Sequence, residues 1–519
     1  MNGKEEVNEF GANLAKRGVI YVGGDALSTV ITLFAIVFLA RLLNSAAFGV
    51  FSIAVSFFGV LGIGSNFGMG TAFRKMLPQV RRGDRAAAGA VLSNGYFVAL
   101  AVALVIAVAG VLLSRYIATD IYHSAALSAA LQLASASELL FVLYNLTLAA
   151  LVGVGRVWEA TISNLSYSSV YLVVSVGMVL AGYGVTGAVF GMAAGLAVGA
   201  AVGLYYLVRL TGAPITRPTK AHIRKLTAFS VPVVTSHVAE QGGLNLAVLV
   251  LGVYAPLAVV GNYGAAYRLA RFVGIAVTDI GFVLLPAFSG AFTNGKTAAK
   301  IGAIYNYGIY YSALFILPLI AYGAAASVPL MALLLGTSYT YAPFYFSVMV
   351  FGMAVGMIGV FAGNLILGHG DAKKFMKYQV GAVLLQVVLL LALTPYFQVN
   401  GVLLSLFVIT PIALDIAYMA ALEHQFPFKH TYGLLAGIGA AALVAFAAAY
   451  VASAYLGNGY AALAADAIIV GLLFPPVASA LGGIRRKQVD FVRAATRKMG
   501  PVARVMAPIV SYTALFAKN

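Results

Sequence analysis

The 519-residue chain has no cysteine, a single tryptophan, and charged side chains at only 9% of its positions. The missing cysteines exclude disulfides, thiolate chemistry and cysteine-ligated zinc, and leave the redox compartment open. The shortage of charge excludes more. Soluble domains run about 25% charged and roughly 45–50% apolar, whereas this chain is 62% apolar with a mean hydropathy of +0.96. It has too little polar surface to cover itself in water, so its solvent is lipid. Acidic residues are short as well: 15 Asp+Glu stand against 32 Lys+Arg, a formal net charge of +17. The histidines show no metal-ligand spacing, with His424 and His430 flanking a turn.

What is abundant is long apolar sequence. Runs of about 20 residues predict an all-α polytopic membrane protein of fourteen transmembrane helices. They lie near 17–41, 49–72, 89–113, 124–151, 157–182, 184–208, 227–253, 257–288, 301–334, 341–367, 374–394, 400–422, 432–456 and 460–483. The stretch after Lys4, Glu5, Glu6 and Glu9 is too long for the core of a cleavable signal peptide. With the N-terminus inside, 28 of the 32 cations fall in inward segments. Arg41 and Arg115 fall in outward turns, and Arg268 and Arg271 fall within the eighth span. This asymmetry is the positive-inside pattern. It places both termini in the cytoplasm of a cell-membrane protein and makes the basic charge a topological signal, with no nucleic-acid partner.

Three short matches at an offset of 212–215 residues suggest an internal repeat. Phe48–Phe51 falls on Val260–Tyr263, Gly153–Arg156 on Gly368–Asp371, and Tyr183–Gly187 on Phe397–Gly401. Six spans per repeat is an even number, so the two halves enter the bilayer the same way and their axis runs along the membrane normal. The expected organisation is two pseudo-symmetric six-helix lobes, 1–212 and 213–430, around a central cavity. Helices 13–14 (431–484) and a basic cytoplasmic tail (485–519) follow. In the tail, Val489, Val492, Thr496 and Met499 recur at helical spacing beside Arg493, Arg497 and Lys498. Two readings stay open, an interfacial helix on anionic lipid and a disordered basic tail. Outward turns of no more than roughly a dozen residues leave no room for an extracytoplasmic enzyme domain, so the chain is not expected to be an enzyme.

Ionisable groups inside spans mark function by default. Arg268 and Arg271, three residues apart, share a helix face, and the guanidinium fork suits phosphate oxygens. The competing reading pairs each with a buried carboxylate, Asp279 or Glu240. Arg41, at the outward end of span one, is either a third phosphate ligand or a headgroup anchor. Asp25 lies about two turns inside the inward end of span one and needs a proton, a cation or a partner. Glu138, Glu159, Asp415 and Asp466 read as hydrogen-bond partners between helices. The string Gly290-Ala-Phe-Thr-Asn-Gly-Lys-Thr297 fits the phosphate-loop pattern. That loop works between a strand and a helix, and here an apolar helix precedes it, so no ATP is expected.

Ala40-Arg-Leu-Leu-Asn-Ser-Ala-Ala-Phe-Gly49 resembles the opening motif of polysaccharide and oligosaccharide-lipid flippases, the Wzx-like branch of the MATE-like multidrug/oligosaccharidyl-lipid/polysaccharide (MOP) exporter superfamily, with Asn44 in place of the usual glycine. Ala266-Tyr-Arg268-Leu-Ala-Arg271-Phe272, with Leu284-Leu-Pro-Ala-Phe-Ser289 after it, is similar to span eight of the lipid II flippase branch. There the arginine matching Arg268 lines the substrate cavity, while the position of Arg271 is acidic. Leu335-Gly336, Tyr339 and Ala342 resemble the family's turn after span nine. The resemblance implies a flippase moving a prenyl-phosphate- or prenyl-pyrophosphate-linked oligosaccharide from the cytoplasmic to the outer leaflet by alternating access. Drug-exporting relatives bind sodium on an Asp of span one, an Asn and Asp of span five and a Thr of span six. The look-alikes are Asp25, Asn164, Ser168 and Thr186, and Ser168 for a carboxylate leaves sodium short of one charge, so the coupling ion is Na+ or H+. No other cofactor or metal is implied. The implied partners are the glycolipid and membrane lipids, and the chain is expected to be a monomer that works with glycan-assembly enzymes. Two alternatives stand: a MATE-type drug/cation antiporter, and a non-transporting scaffold of a glycan-assembly complex.

Overall fold

In the computed structural model the chain is described except for residues 1–2, 67, 81–83, 294–296, 427–431, 458, 497–500 and 518–519. For 3–22, 225, 229, 231–242, 275–283, 293, 298, 495–496, 501–506 and 509 the backbone alone is described. The described residues are almost wholly helical and contain no β-strand. Among them, eleven helices are long and apolar enough to cross a membrane, against the fourteen spans expected. The 55-residue stretch Val157–Thr211 is one of the eleven, although it reverses at Gly182 and Gly184. Helices 220–254 and 257–293 are absent from the eleven, and both contain backbone-only stretches. The protein is an all-α, multi-pass membrane protein.

The chain forms two compact units, Met1–Ala265 and Ala266–Asn519. The first contains α1 (Gly3–Leu42), α2 (Ser45–Ser65), α3 (Met69–Met76), α4 (Arg85–Tyr116), α5 (Ala125–Ala136), α6 (Glu138–Gly153), α7 (Val157–Met178), α8 (Gly184–Thr211), α9 (Lys220–Tyr254) and the start of α10 (Leu257–Thr293). Helix α9, beyond the basic linker, packs on α2 and α3. Asn44 is the N-cap of α2, its side chain accepting the Ala47 N–H at 2.8 Å. This satisfies an orphan donor and explains why asparagine suits a position where glycine was expected. Gly187, Gly191, Gly195, Gly199 and Gly203 fall every fourth residue on the α8 face against α6 and α7, so the backbones approach closely with Ser163 donating to the Gly199 carbonyl at 2.8 Å.

The second unit contains the rest of α10, α11 (Ala298–Ala325), α12 (Ser327–Leu335), α13 (Ala342–Val355), α14 (Met357–Gly368), α15 (Ala372–Phe397), α16 (Val399–Leu403), α17 (Thr410–Gln425), α18 (Tyr432–Leu456), α19 (Tyr460–Ala480), α20 (Arg486–Thr496) and α21 (Pro501–Phe516). The tail is more than the basic amphipathic segment expected. Helix α20 has that character, but α21 is mostly apolar and returns along α19, where Tyr512 donates to the Leu472 carbonyl at 2.9 Å. Met499, Arg497 and Lys498 lie outside the described residues.

The three sequence matches at the repeat offset coincide with matching backbone geometry. Helix α6 ends with Gly155 at φ 78° and Arg156 N–H bonded to Leu151 O. Helix α14 ends with Gly370 at φ 97° and Asp371 N–H bonded to Ile366 O. Both are the left-handed helix stop that satisfies terminal carbonyls. Gly184, after α7, has φ 52° and ψ −135°, and Gln398, after α15, has φ 47° and ψ −125°. Within the first unit, Gly49 of α2 lies against Gly261 of α10. A Cβ on Gly49 would overlap the Leu257 carbonyl, and one on Gly261 would overlap the Ser45 carbonyl. The two contacts are mates under the 212-residue offset, which carries Gly49 to Gly261 and Ser45 to Leu257, and Ser52 meets Gly264 at that offset directly. The two helices therefore cross with equivalent residues facing each other, as at a two-fold axis.

Candidate functional site

The clearest polar cluster lies in the first unit, where α1, α3, α6 and α7 meet. Gly24 of α1 packs on Thr161 of α7 so tightly that a Cβ would overlap the Thr161 methyl. That approach brings Asp25 and Ser28 onto Asn164. The Asn164 amide nitrogen donates to Asp25 Oδ1 at 3.2 Å, while its Oδ1 accepts from Ser28 Oγ at 3.1 Å and from the Tyr144 hydroxyl at 2.9 Å. An ionised carboxylate accepts only, so this orientation of the amide satisfies all three partners. Beside the cluster lies a cavity of about 40 Å³ lined by Asp25, Arg74, Asn145, Thr161 and Asn164 with Leu148, Val152 and Ala160. That is room for a small ion or a few waters.

Of the four residues aligned with a sodium site, the structure brings Asp25 and Asn164 together. Ser168 is one turn along α7 and buried, with its hydroxyl donated back to the Asn164 and Leu165 carbonyls. Thr186 is not brought to them. Its neighbour Gly187 packs on Met178 and Tyr183 at the α7–α8 turn. The α8 residue level with Ser163 is Gly199, thirteen residues from Thr186 and so roughly 20 Å along the helix. Arg74, Asn145, Tyr144 and Ser28 were not foreseen. In the sequence the arginine counts only as inward charge.

The three candidate phosphate ligands sit differently. Arg41 is exposed in the last turn of α1, where a cation meets the negative end of the helix dipole. Arg268 is half-buried and Arg271 exposed, both on α10 in the second unit, and Tyr267 lies within electrostatic reach of both. One turn on, Gly274 meets the Met353 side chain of α13, its Cβ position 3.0 Å from the sulfur. The side chains of Asp279 and Glu240, the alternative partners of the arginines, lie outside the described residues.

Four remaining carboxylates have partners. Glu138 accepts from Ser65 at 2.8 Å, Asp415 from the Gly359 N–H at 2.7 Å, and Asp466 from Ser453 at 2.6 Å, each tying two helices together. Glu159 pairs with Arg156 at 3.7 Å on the same helix start. No cluster of three or more potential metal ligands occurs among the described residues. Residues 294–296 of the phosphate-loop-like string lie outside the described residues, and the segment before them is helix α10.

The family described as polysaccharide biosynthesis protein matches residues 38–342, more than half of the chain. Comparison with curated proteins gives no match. Among solved structures, the chain is similar to the lipid II flippase MurJ in an inward closed conformation, with TM-score 0.73 at 14% identity over 89% of this chain and 98% of that one. It is also similar to an inward-facing multidrug resistance MATE family transporter of the MOP superfamily, with TM-score 0.65 at 17% identity over 77% and 94%. A MATE protein in complex with MaL6 follows at TM-score 0.54 and 15% identity over 79% and 94%. The chain shares the fold of MurJ and of the MATE transporter, and it belongs to the polysaccharide biosynthesis protein family.

Proposed function

We propose that this protein is a flippase that carries a prenyl-phosphate- or prenyl-pyrophosphate-linked oligosaccharide from the cytoplasmic to the outer leaflet of the cell membrane. Two six-helix lobes, 1–212 and 213–430, alternate access to the site, and the sugar-phosphate headgroup is moved without chemistry on it. The observation that carries the reading is the Arg268/Arg271 pair. Arg268 is eleven residues into an apolar helix, roughly 16 Å from its start. A cation at the centre of a span carries an insertion cost of about 2.5–3.5 kcal/mol on translocon scales, and a phosphorylated headgroup received at that face offsets it. Family membership and the fold shared with a lipid II flippase support the same substrate class. Arg41 receives the phosphate as it leaves outward.

Asp25 is the coupling residue, and a proton is its ion. Sodium is short of ligands there, because the Ser168 hydroxyl is donated back to the Asn164 and Leu165 carbonyls, whereas a proton needs only the carboxylate. The Asn164 oxygen is already engaged by two hydroxyls. Membrane potential adds drive, about 2.3 kcal/mol per charge per 100 mV for an anion moving outward from a negative interior.

The test is flipping of a fluorescent prenyl-phosphate disaccharide in vesicles containing the purified protein. Arg268→Ala and Arg268→Lys are each expected to slow it about tenfold or more, the loss of one charge-assisted, bidentate contact, with the melting temperature held within a few degrees. An Ala variant that flips at the parent rate removes Arg268 from the site. Efflux of ethidium by a protein inert toward the glycolipid overturns the flippase reading.

A further inference from the structure

A second cavity lies wholly within the second unit, between α11, α19 and the C-terminal helices. It is a cleft of about 260 Å³ with an almost entirely apolar wall, including Leu314, Phe315, Gly471, Phe474, Val489 and Val510. Pro318 and Pro475, each inside a helix, face it from α11 and α19. Proline lacks the backbone donor that continues the ladder, so each of these two walls carries a break in its helix hydrogen bonding. An apolar space of this size without a guest forfeits dispersion contacts along its lining. Helix α20 covers it like a hasp. Phe491 stacks on Tyr311 at 4.9 Å and on Tyr307 at 6.4 Å, and the Tyr310 hydroxyl donates to the Gly483 carbonyl at 2.8 Å. Val489 and Val492 then turn inward from a helix whose outer residues are charged.

The charge beside the cleft is mostly positive. Arg485, Arg486, Lys487 and Arg493 are set against Asp490 alone, and Arg485 lies within electrostatic reach of Tyr310. A greasy cleft in a multi-pass membrane protein, with a cluster of cations at its edge, matches one molecule: an anionic phospholipid, its acyl chain in the cleft and its phosphate on the α20 cations. We propose that this cleft is a binding site for one such lipid, which fastens the C-terminal helices to α11 and α19. The site is separate from the arginines of α10 and does not depend on the flippase reading.

Gly471 provides a clean probe, because nothing lies within 4 Å of where its Cβ would point. Gly471→Phe therefore fills the cleft without a backbone clash. The full-length protein, in nanodiscs of equal phosphatidylglycerol and phosphatidylcholine, would be released into mild detergent and its retained lipids counted by native mass spectrometry. The parent protein is expected to keep one tightly held lipid, with phosphatidylglycerol preferred about fivefold or more. Gly471→Phe is expected to keep one lipid fewer at an unchanged melting temperature. The triple variant Arg485→Gln, Arg486→Gln, Lys487→Gln should keep the lipid and lose the preference. Equal retention by parent and Gly471→Phe, or a parent with no preference for the anionic lipid, overturns the proposal. If Gly471→Phe fails to fold, the triple variant decides it through the preference alone.

Discussion

Asp25 shows how much a single half-buried amide can organise. Asn164 holds the carboxylate through its nitrogen and two hydroxyls through its oxygen, so Asn164→Ala removes a partner from Ser28, Tyr144 and Asp25 at once, leaving Ser28 the backbone carbonyl of residue 164 at 3.4 Å. Ser28 and Tyr144 are buried while Asp25 is exposed; a buried polar group left unsatisfied costs about 1–3 kcal/mol, so a lower melting temperature is expected, with Tyr144→Phe milder. Asp25→Asn keeps the shape and removes the ionisable group. It should fold as the parent does, yet flip glycolipid at a rate indifferent to an imposed pH gradient. A variant that still responds to the gradient excludes Asp25 as the proton carrier. Asp25 is legible in the sequence as an ionisable group inside an apolar run, and Asn164 through the resemblance to the drug exporters' sodium site. Arg74 and Asn145 are not, because one counts as inward charge and nothing in the sequence singles out the other. What unites them is the packing of Gly24 on Thr161, a contact between residues 137 apart in the chain. Thr186 fails for the converse reason. A motif position carries no information about depth, and the α7–α8 turn sets Thr186 at the far end of its helix from Asn164.

At the level of helices and turns, the repeat written in three short strings is a repeat of backbone shape. The glycine-rich stops of α6 and α14 were readable because a left-handed residue selects glycine. The turn after α15 was less so, since Gln398 occupies the conformation that Gly184 has in the other half. A side chain at φ 47° and ψ −125° is strained, about 1–3 kcal/mol for such a position. Gln398→Gly is therefore expected to raise the melting temperature, and a lower value would mean that the glutamine side chain has a compensating role. The crossing of α2 and α10 is the opposite case. Carbonyls sit where a Cβ at Gly49 or Gly261 would go, and backbone does not yield as a side-chain tip does. Gly261→Val is expected to destabilise by about 1–3 kcal/mol or more, visible as a fall in melting temperature and in yield. Hydropathy placed both helices and the offset paired them in register, but a run of apolar residues says nothing of which face meets which. That faces are matched residue for residue became visible only with coordinates.

For the molecule as a whole, the net charge of +17 is an address. If the cations are confined to one side of the bilayer, then residues 211–226, the start of α15 and the C-terminal helices share the cytoplasmic face, and the turns after α4 and α12 lie outside. Composition supplied this picture because the positive-inside bias is counted over short loops. It says nothing about α21, whose apolar sequence follows the basic α20 and whose packing along α19 sets it apart. The chain contains no cysteine, so single cysteines can report sidedness in an otherwise unaltered protein. Ile215→Cys, at a position 97% exposed, and Ala372→Cys should react in intact cells only after permeabilisation. Ala125→Cys and Ser338→Cys, both at exposed positions, should react with a membrane-impermeant maleimide from outside. All four lie outside the polar cluster and away from the arginines of α10, so flipping should continue in each. Labelling of position 215 from outside while 125 is protected would invert the whole assignment. The anion would then run against the membrane potential, and the outward direction of transport would fall with it.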